Sequence, residues 1–272
     1  MTGVTRFVAI AVALLLVLVT ILVGLLALFQ ERMIFPAPSG PVPTAVAELS
    51  LETIETPDGE RLAALWHEAE DGEATVLFLH GNATAIAHLR QVASAWTDLG
   101  YGFLAPAWRG YPGSTGASSE SGILTDSVAA HDWLVERTAG PIAVYGQSLG
   151  SGPAVHLAAE RDPVALILEA PYDSVLAVAS ARFPFLPVEA LLRHSFRSDL
   201  KIASVDAPVL IVHGTADGVI PSLHGRALHA SAPEGTRMHE VEGATHFNIG
   251  ALAWSRITAF VGEAVSNRAT NG

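Results

Sequence analysis

Short apolar runs alternate with longer amphipathic stretches from about residue 49 onwards, a pattern that predicts a sheet with helices between its strands. Several runs are nearly unbroken series of Val, Ile, Leu and Ala, which is typical of strands buried on both faces of a parallel sheet. The first two predicted strands flank a Pro-Asp-Gly turn at 57–59 and predict an antiparallel edge hairpin. The predicted strands are 49–55, 61–67, 76–79, 102–105, 142–145, 164–168, 209–212 and 237–241.

The stretches between these strands have helical character, and the last keeps its apolar residues on one face. The predicted helices are 85–99, 122–137, 149–161, 221–231 and 251–265. Alternation of strands and helices predicts the α/β class, with a mostly parallel doubly wound sheet. The small, polar tail after Asn267 is expected to fray.

One segment, 174–205, interrupts the alternation between the strands at 164–168 and 209–212. It is rich in Phe, Leu and Pro. A long insertion above the strand ends is a candidate lid over a substrate pocket. The alternative is a set of additional helices that fill the core.

The N-terminal segment is uncharged from Phe7 to Phe29 and consists mainly of Leu, Val, Ile and Ala. A helix of this length is about 34 Å long, enough to cross the hydrocarbon core of a bilayer. A cleaved secretory signal has a shorter apolar region and a small-residue exit, and a buried core helix is the other alternative. We therefore expect an uncleaved anchor.

This anchor divides the chain into an N-terminal membrane segment, 1–30, a Pro-rich linker, 31–47, and an α/β domain, 48–268. Prolines at 36, 38, 41 and 43 oppose both helix and strand in the linker. Arg6 before the helix and Arg32 after it balance each other. The free amine then favours a single-pass protein with its catalytic domain outside the cytoplasm.

Composition excludes several kinds of chemistry. The net charge of −12 argues against nucleic acid as a partner. The chain has no cysteine, which removes disulfides, thiolate metal sites and a thiol nucleophile. Lys201 is the sole lysine and follows no phosphate-binding loop, and no His-Glu-x-x-His pair occurs. We expect no cofactor and no metal, and the sequence predicts no particular oligomeric state.

Ser148 is the candidate nucleophile. It is the centre of the Gly-Gln-Ser-Leu-Gly segment at 146–150, directly after a predicted strand and before a predicted helix. In that context the glycines allow a sharp turn that exposes the serine hydroxyl at the helix N-terminus. The alternative is a tight strand-to-helix turn without catalytic meaning.

A serine nucleophile needs a general base, and the base needs an orienting group. Asp217 lies just beyond the strand at 209–212, and His246 lies in the loop before the last helix. Both therefore belong to strand ends that meet at one edge of a parallel sheet, in the order Ser, Asp, His. Capping is the alternative for Asp217, and His213 is interpreted as a hydrogen-bonded packing residue.

The tetrahedral intermediate needs donors for its oxyanion. The segment 80–83, His-Gly-Asn-Ala, follows a predicted strand directly. We expect the backbone N–H groups of Asn82 and Leu149 to supply these donors, with His80 bracing the loop. The alternative is an ordinary strand exit that contains glycine.

Together these motifs resemble the α/β-hydrolase superfamily, and within it the membrane-anchored BEM46-like and ABHD13/ABHD17-like serine hydrolases. The resemblance also includes Phe35-Pro36 after the anchor, Arg-Gly-Tyr at 109–111 and the strand with Pro208 through Gly214. It implies an esterase, thioesterase or related acyl hydrolase without a cofactor, with Ser148 as nucleophile, Asp217 as acid and His246 as base.

The expected substrate is a small-molecule or lipid-like acyl compound, presented near the membrane because of the anchor and the Phe-rich insertion. Two other functions stay open. One is a serine peptidase that acts on short peptides and recognises their amine with an acidic cluster. The other is a catalytically inactive, membrane-tethered binding protein on a hydrolase fold.

Overall fold

A computed structural model describes residues 3–39 and 48–271. Eight strands form one sheet in the order β1-β2-β4-β3-β5-β6-β7-β8. The strands are β1 (Ser50–Glu55), β2 (Arg61–His67), β3 (Thr75–Leu79), β4 (Gly102–Pro106), β5 (Ile142–Gln147), β6 (Ala165–Glu169), β7 (Val209–Gly214) and β8 (Arg237–Val241). β2 pairs antiparallel with β1 and β4, and every pairing from β4 to β8 is parallel. The predicted edge hairpin and parallel sheet are confirmed.

Several strands continue beyond their predicted ends. β5 runs to Gln147, which pairs with Glu169 at the end of β6, and β7 runs to Gly214, which pairs with Val241. The sequence pattern stops earlier because glycine and polar residues replace the apolar run, whereas the ladder of hydrogen bonds continues. These added residues bring Gln147, Glu169 and Gly214 to the same edge of the sheet.

Helices cover both faces of the sheet, since β3 to β7 are buried along almost their whole length. The helices are α1 (Gly3–Ile34), α2 (Arg90–Thr97), α3 (Glu120–Val135), α4 (Ser151–Glu160), α5 (Val175–Arg182), α6 (Val188–Leu191), α7 (Ser222–Ala230) and α8 (Ile249–Asn271). Trp96 of α2 packs against Trp254 of α8 with ring centroids 4.7 Å apart, while α3 packs on α4.

Two helix predictions are wrong in detail. The predicted helix 85–99 is a single 3₁₀ turn, Ile86–His88, followed by the shorter α2. The tail after Asn267, which was expected to be irregular, is helical, because α8 continues to Asn271. A guanidinium nitrogen of Arg268 lies 2.8 Å from an Asp162 carboxylate oxygen and ties the end of α8 to the loop before β6.

The N-terminal helix α1 has 32 residues and a mean hydropathy of 3.2 in its most apolar 18-residue window. It is long and apolar enough to cross a membrane, and it lies mostly exposed. The helix continues beyond residue 30, the predicted end of the anchor, into the predicted linker as far as Ile34. Phe35 then packs in the core of the domain at 5% exposure. Residues 40–47 of the linker lie outside the described residues.

The insertion 174–205 has two parts with different environments. Its first part contains α5 and α6, and α5 has no fully buried residue. Its second part contains two single 3₁₀ turns and buries Phe196, Ile202 and Val205 in the core. The second part therefore contributes to the core, and the lid interpretation of about 175–192 stays a prediction.

Candidate active site

Ser148 lies on the sharp turn between β5 and α4. Its φ of 50° is in the left-handed region, which is strained for a residue with a side chain. The turn is possible because glycines lie two residues before and two residues after Ser148, at positions 146 and 150. A Cβ at Gly146 would lie 2.5 Å from the Ala154 Cβ, and one at Gly150 would overlap the Leu79 carbonyl oxygen. Close packing against β3 and α4 thus forces the turn and holds the serine at the carboxyl end of β5.

Three side chains from distant parts of the chain form one hydrogen-bonded series at this edge of the sheet. The Ser148 Oγ lies 3.0 Å from the His246 Nε2, and the His246 Nδ1 lies 2.7 Å from the Asp217 Oδ2. Ser148 and Asp217 are buried, and the His246 side chain is about one-tenth exposed. The structure therefore brings together the three residues that the sequence pattern singled out.

The carboxylate of Asp217 is held in its ionised form. Burial alone would raise its pKa, but hydrogen bonds from His246 and from the backbone N–H groups of Val219 and Ile220 hold the pKa below its usual value. The His213 imidazole, 3.6 Å from the Asp217 Oδ2, lowers the pKa of this carboxylate more than any of these groups. The backbone donors occupy Oδ1 at 2.8 and 2.9 Å, which leaves Oδ2 for His246.

A charged Asp217 fixes the tautomer of His246. The carboxylate accepts only, so the His246 Nδ1 must carry the hydrogen and the Nε2 is free to accept a proton from Ser148. This arrangement allows proton removal from a serine hydroxyl at neutral pH. His213 has another role, since its Nε2 lies 2.8 Å from the Ile220 carbonyl oxygen, where it donates a hydrogen bond within the loop that carries Asp217.

The loop after β3 lies against the nucleophile. A Cβ placed on Gly81 would be 3.3 Å from the Ser148 Cβ, so only a residue without a side chain allows this approach without displacement. The next residues, Asn82 and Ala83, form a turn in which Ala83 has a φ of 54°. After β5, Leu149 is the middle residue of the 3₁₀ turn Ser148–Gly150, and its carbonyl oxygen accepts a hydrogen bond from the Tyr172 hydroxyl at 2.9 Å.

The buried side chain of His80 holds this loop in place. Its Nδ1 lies 2.7 Å from the Gly81 carbonyl oxygen, and its ring packs against Trp108 and Tyr111. Burial lowers the pKa of His80 to about 4, so the ring is neutral at physiological pH. The sequence analysis assigned His80 a bracing role but did not identify its aromatic partners, although both adjoin the Arg109-Gly110 pair.

Glu169 is a site residue that the sequence analysis missed. Its carboxylate is buried and accepts hydrogen bonds from the Tyr145 hydroxyl, the Gln147 amide and the backbone N–H of Gly250. Gly250 lies in the first turn of α8, just after the loop that carries His246, so Glu169 ties that loop to β5 and β6. The available signal was an acidic residue directly after the apolar run 164–168.

Among the described residues, no group of three or more His, Asp or Glu side chains is arranged to hold a metal ion. The candidate site instead consists of a nucleophile after β5, a carboxylate after β7 and an imidazole after β8. This sheet order with this placement of residues defines the α/β-hydrolase class.

Comparison with known proteins agrees with this class. A family model described as "Serine aminopeptidase, S33" matches residues 70–180. An uncharacterized protein of Mycobacterium tuberculosis is 36% identical over 225 residues, which cover 80% of each chain. Human alpha/beta hydrolase domain-containing protein 17B is 33% identical over 224 residues, which cover 78% of this chain and 75% of the human protein. The chain belongs to the α/β-hydrolase superfamily and resembles its ABHD17-like members.

Among solved structures, the Pyrococcus furiosus esterase Pf2001 has the same fold. It superimposes with a TM-score of 0.67 at 19% sequence identity, over 84% of this chain and 99% of the esterase. The similarity confirms the predicted α/β-hydrolase fold, and at this identity it concerns the fold alone.

Proposed function

We propose that the protein is a serine hydrolase that cleaves carboxylic ester or thioester bonds of amphiphilic acyl substrates next to a membrane. The observation that carries the proposal is the continuous hydrogen-bonded series Asp217–His246–Ser148, with distances of 2.7 and 3.0 Å. A serine hydroxyl is a weak nucleophile unless a base accepts its proton, and this geometry provides that base.

In the acylation step, the His246 Nε2 removes the proton of the Ser148 hydroxyl while Oγ attacks the carbonyl carbon. The negative charge passes to the carbonyl oxygen, which the backbone N–H groups of Asn82 and Leu149 stabilise. His246 then transfers the proton to the leaving alcohol or thiol, and an acyl-serine ester forms. Asp217 stabilises the imidazolium without accepting a proton.

Deacylation reverses these roles with water as the nucleophile. His246 takes a proton from water, the hydroxide oxygen attacks the acyl carbon, and the proton returns to the Ser148 Oγ as the ester bond breaks. The products are a free acid and the restored hydroxyl, so the cycle needs no redox partner. The preference for an amphiphilic substrate rests on α1, which is apolar enough to cross a bilayer.

The decisive experiment replaces Ser148 with Ala in the full chain. We expect loss of p-nitrophenyl ester turnover and loss of labelling by a fluorophosphonate probe. Ser255→Ala is the matched control, since that serine is exposed on α8. Full turnover in Ser148→Ala would refute the assignment, and a well-folded wild-type protein that no probe labels would support a binding protein instead.

A serine peptidase is the second candidate, favoured by the description of the matching family model. Such an enzyme needs a carboxylate that binds the substrate amine. The buried acid nearest in chain position to the nucleophile is Glu169, but both of its oxygens already accept hydrogen bonds from protein groups. We therefore favour the ester or thioester hydrolase. Faster cleavage of aminoacyl amides than of acyl esters would reverse that choice.

A further inference from the structure

A cavity of about 220 Å³ lies between the last turns of α1 and the first part of the insertion. One wall belongs to α1 and includes Leu26, Met33 and Ile34. The other wall belongs to the insertion and includes Val175, Phe183 and Leu191. The apolar helix α1 and the candidate lid therefore form the two walls of one open cavity.

The lining of this cavity is suited to hydrocarbon. Among the described lining residues, Gln30 is the single polar one, and its side-chain amide is already occupied. Its Nε2 donates to the carbonyl oxygens of Ala27 and Leu191 at 2.8 and 3.1 Å, and its Oε1 accepts from the Arg193 N–H at 2.8 Å. The rest of the lining is apolar, as is typical of sites that bind the hydrocarbon part of a ligand.

The cavity also lies at the C-terminal end of α1. A helix of 32 residues is about 48 Å long, whereas the hydrocarbon core is about 30 Å thick. The uncharged run ends at Gln30, within the set of lining residues, and Glu31 follows it. At the tip of the insertion, Phe185 is 97% exposed, as expected for an aromatic side chain that meets the membrane interface. An alkyl chain in the adjacent leaflet would reach the cavity without crossing water.

Both walls connect to the loops that surround the nucleophile. Just after the α1 wall, the Pro36 carbonyl oxygen accepts a hydrogen bond of 3.1 Å from Ala83, the neighbour of Asn82. Just before the insertion wall, the Tyr172 hydroxyl donates to the Leu149 carbonyl oxygen at 2.9 Å. Each wall is therefore within three residues along the chain of a contact to one of the two segments that supply the proposed oxyanion donors.

We propose that this cavity binds the acyl chain of the substrate, so that the membrane helix α1 forms one wall of the acyl-binding site. The inference rests on the proposed hydrolase function and specifies its substrate as a long-chain acyl ester or thioester drawn from the bilayer. The polar part of the substrate then lies at Ser148 while the alkyl chain lies between α1 and α5.

The test introduces a bulky side chain on α5 that occupies the cavity. Ala179 lines it, whereas Ala181 is exposed on the same helix, so Ala179→Phe and Ala181→Phe are a matched pair. The full chain is placed in nanodiscs of ether-linked phosphatidylcholine, which contain no ester bond. The kcat/KM is measured for p-nitrophenyl acetate, octanoate and palmitate.

Ala179→Phe is expected to lower kcat/KM for palmitate by at least about tenfold relative to acetate, because the lost alkyl contacts affect only the long chain. Ala181→Phe should match the wild type for all three esters. Equal effects of Ala179→Phe on acetate and palmitate, or no effect on either, would overturn the acyl site. If the wild type neither hydrolyses the acetate ester nor reacts with the probe, the proposed hydrolase function itself would be wrong.

A second measurement does not depend on turnover. A fluorophosphonate with a long alkyl chain and a terminal diazirine reacts with Ser148, and light then links the chain end to its neighbours. We expect cross-links to peptides from α1 and α5 that include Met33 or Phe183. Cross-links confined to lipid or to other surfaces would contradict the proposed position of the chain.

Discussion

The carbonyl oxygen of Pro36 accepts a hydrogen bond of 3.1 Å from the backbone N–H of Ala83. Pro36 follows the apolar helix α1, and Ala83 follows the proposed oxyanion donor Asn82. The bond holds Ala83 in its left-handed conformation, with a φ of 54°. The end of α1 is therefore a direct support of the site and not a flexible spacer.

Phe35 fixes this contact, so its removal should affect both stability and rate. Its ring packs on His194 and Phe196, with centroids 5.2 and 6.0 Å away. Phe35→Ala should cost about 3 kcal/mol of unfolding free energy, as expected for a buried Phe. It should also lower kcat by up to about 10²-fold through displacement of the 80–83 loop. Thermal unfolding and acetate-ester kinetics of the full chain measure these effects.

Phe185→Ala is the matched control, because that ring is 97% exposed and should contribute little to folding. Its melting temperature and acetate turnover should equal those of the wild type. A Phe35→Ala protein that melts and turns over like this control would show that the end of α1 does not support the site.

Sequence reasoning located Ser148, Asp217 and His246 because each follows a strand with a clear apolar pattern. The carboxyl ends of parallel strands meet at one edge of a sheet, so order along the chain predicts proximity. The docking of α1 could not be predicted in the same way. Gln30 contacts Leu191 and Arg193, more than 160 positions later, and no local pattern encodes such a pairing.

Asp217→Asn tests the orienting role of the carboxylate. An amide in place of Oδ2 offers His246 a donor, which favours the wrong imidazole tautomer. We expect kcat to fall by about 10⁴-fold with little change in the fold, in line with the loss of this group in serine proteases. Steady-state ester kinetics and circular dichroism provide the two measurements.

Asp132→Asn is the control for that substitution. Asp132 also makes a hydrogen-bonded carboxylate pair, with Arg161 at 2.8 Å, but it lies on α3 outside the site. Its variant should keep wild-type kcat. A similar loss of activity in both variants would point to general destabilisation and against the specific role of Asp217.

The proposed oxyanion donor at position 82 is a backbone group, and this makes a distinctive prediction. Asn82→Ala keeps the N–H and should leave kcat within about threefold, since the Asn side chain is exposed. Asn82→Pro removes the N–H and should lower kcat by about 10²- to 10³-fold. Stopped-flow acylation with a p-nitrophenyl ester separates this effect from substrate binding.

Thermal unfolding of Asn82→Pro shows whether the loop itself stays folded. A full loss of activity in Asn82→Ala would indicate that the side-chain amide, and not the backbone N–H, stabilises the oxyanion. A wild-type kcat in Asn82→Pro would show that the backbone N–H of residue 82 does not stabilise the oxyanion.

His80 should make stability depend on pH. Its pKa is about 4 in the folded protein because of burial, against 6.5 for an exposed imidazole. Between these values the unfolded chain binds a proton that the folded chain does not, so stability is greatest above pH 6.5 and falls as the pH drops towards 4. From pH 7 to pH 5 this single group should remove about 2 kcal/mol.

His80→Asn isolates that contribution, because an Asn amide does not titrate but can still donate a hydrogen bond to the Gly81 carbonyl oxygen. Between pH 7 and pH 5, the melting temperature of the wild type should fall about 4–8 °C further than that of the variant. Other titrating groups, including His131, whose pKa burial also lowers, are common to both proteins and cancel in the comparison. An equal change of melting temperature with pH in the two proteins would mean that His80 is protonated as readily in the folded chain as in the unfolded one. The ring that supports the 80–83 loop would then be in contact with water.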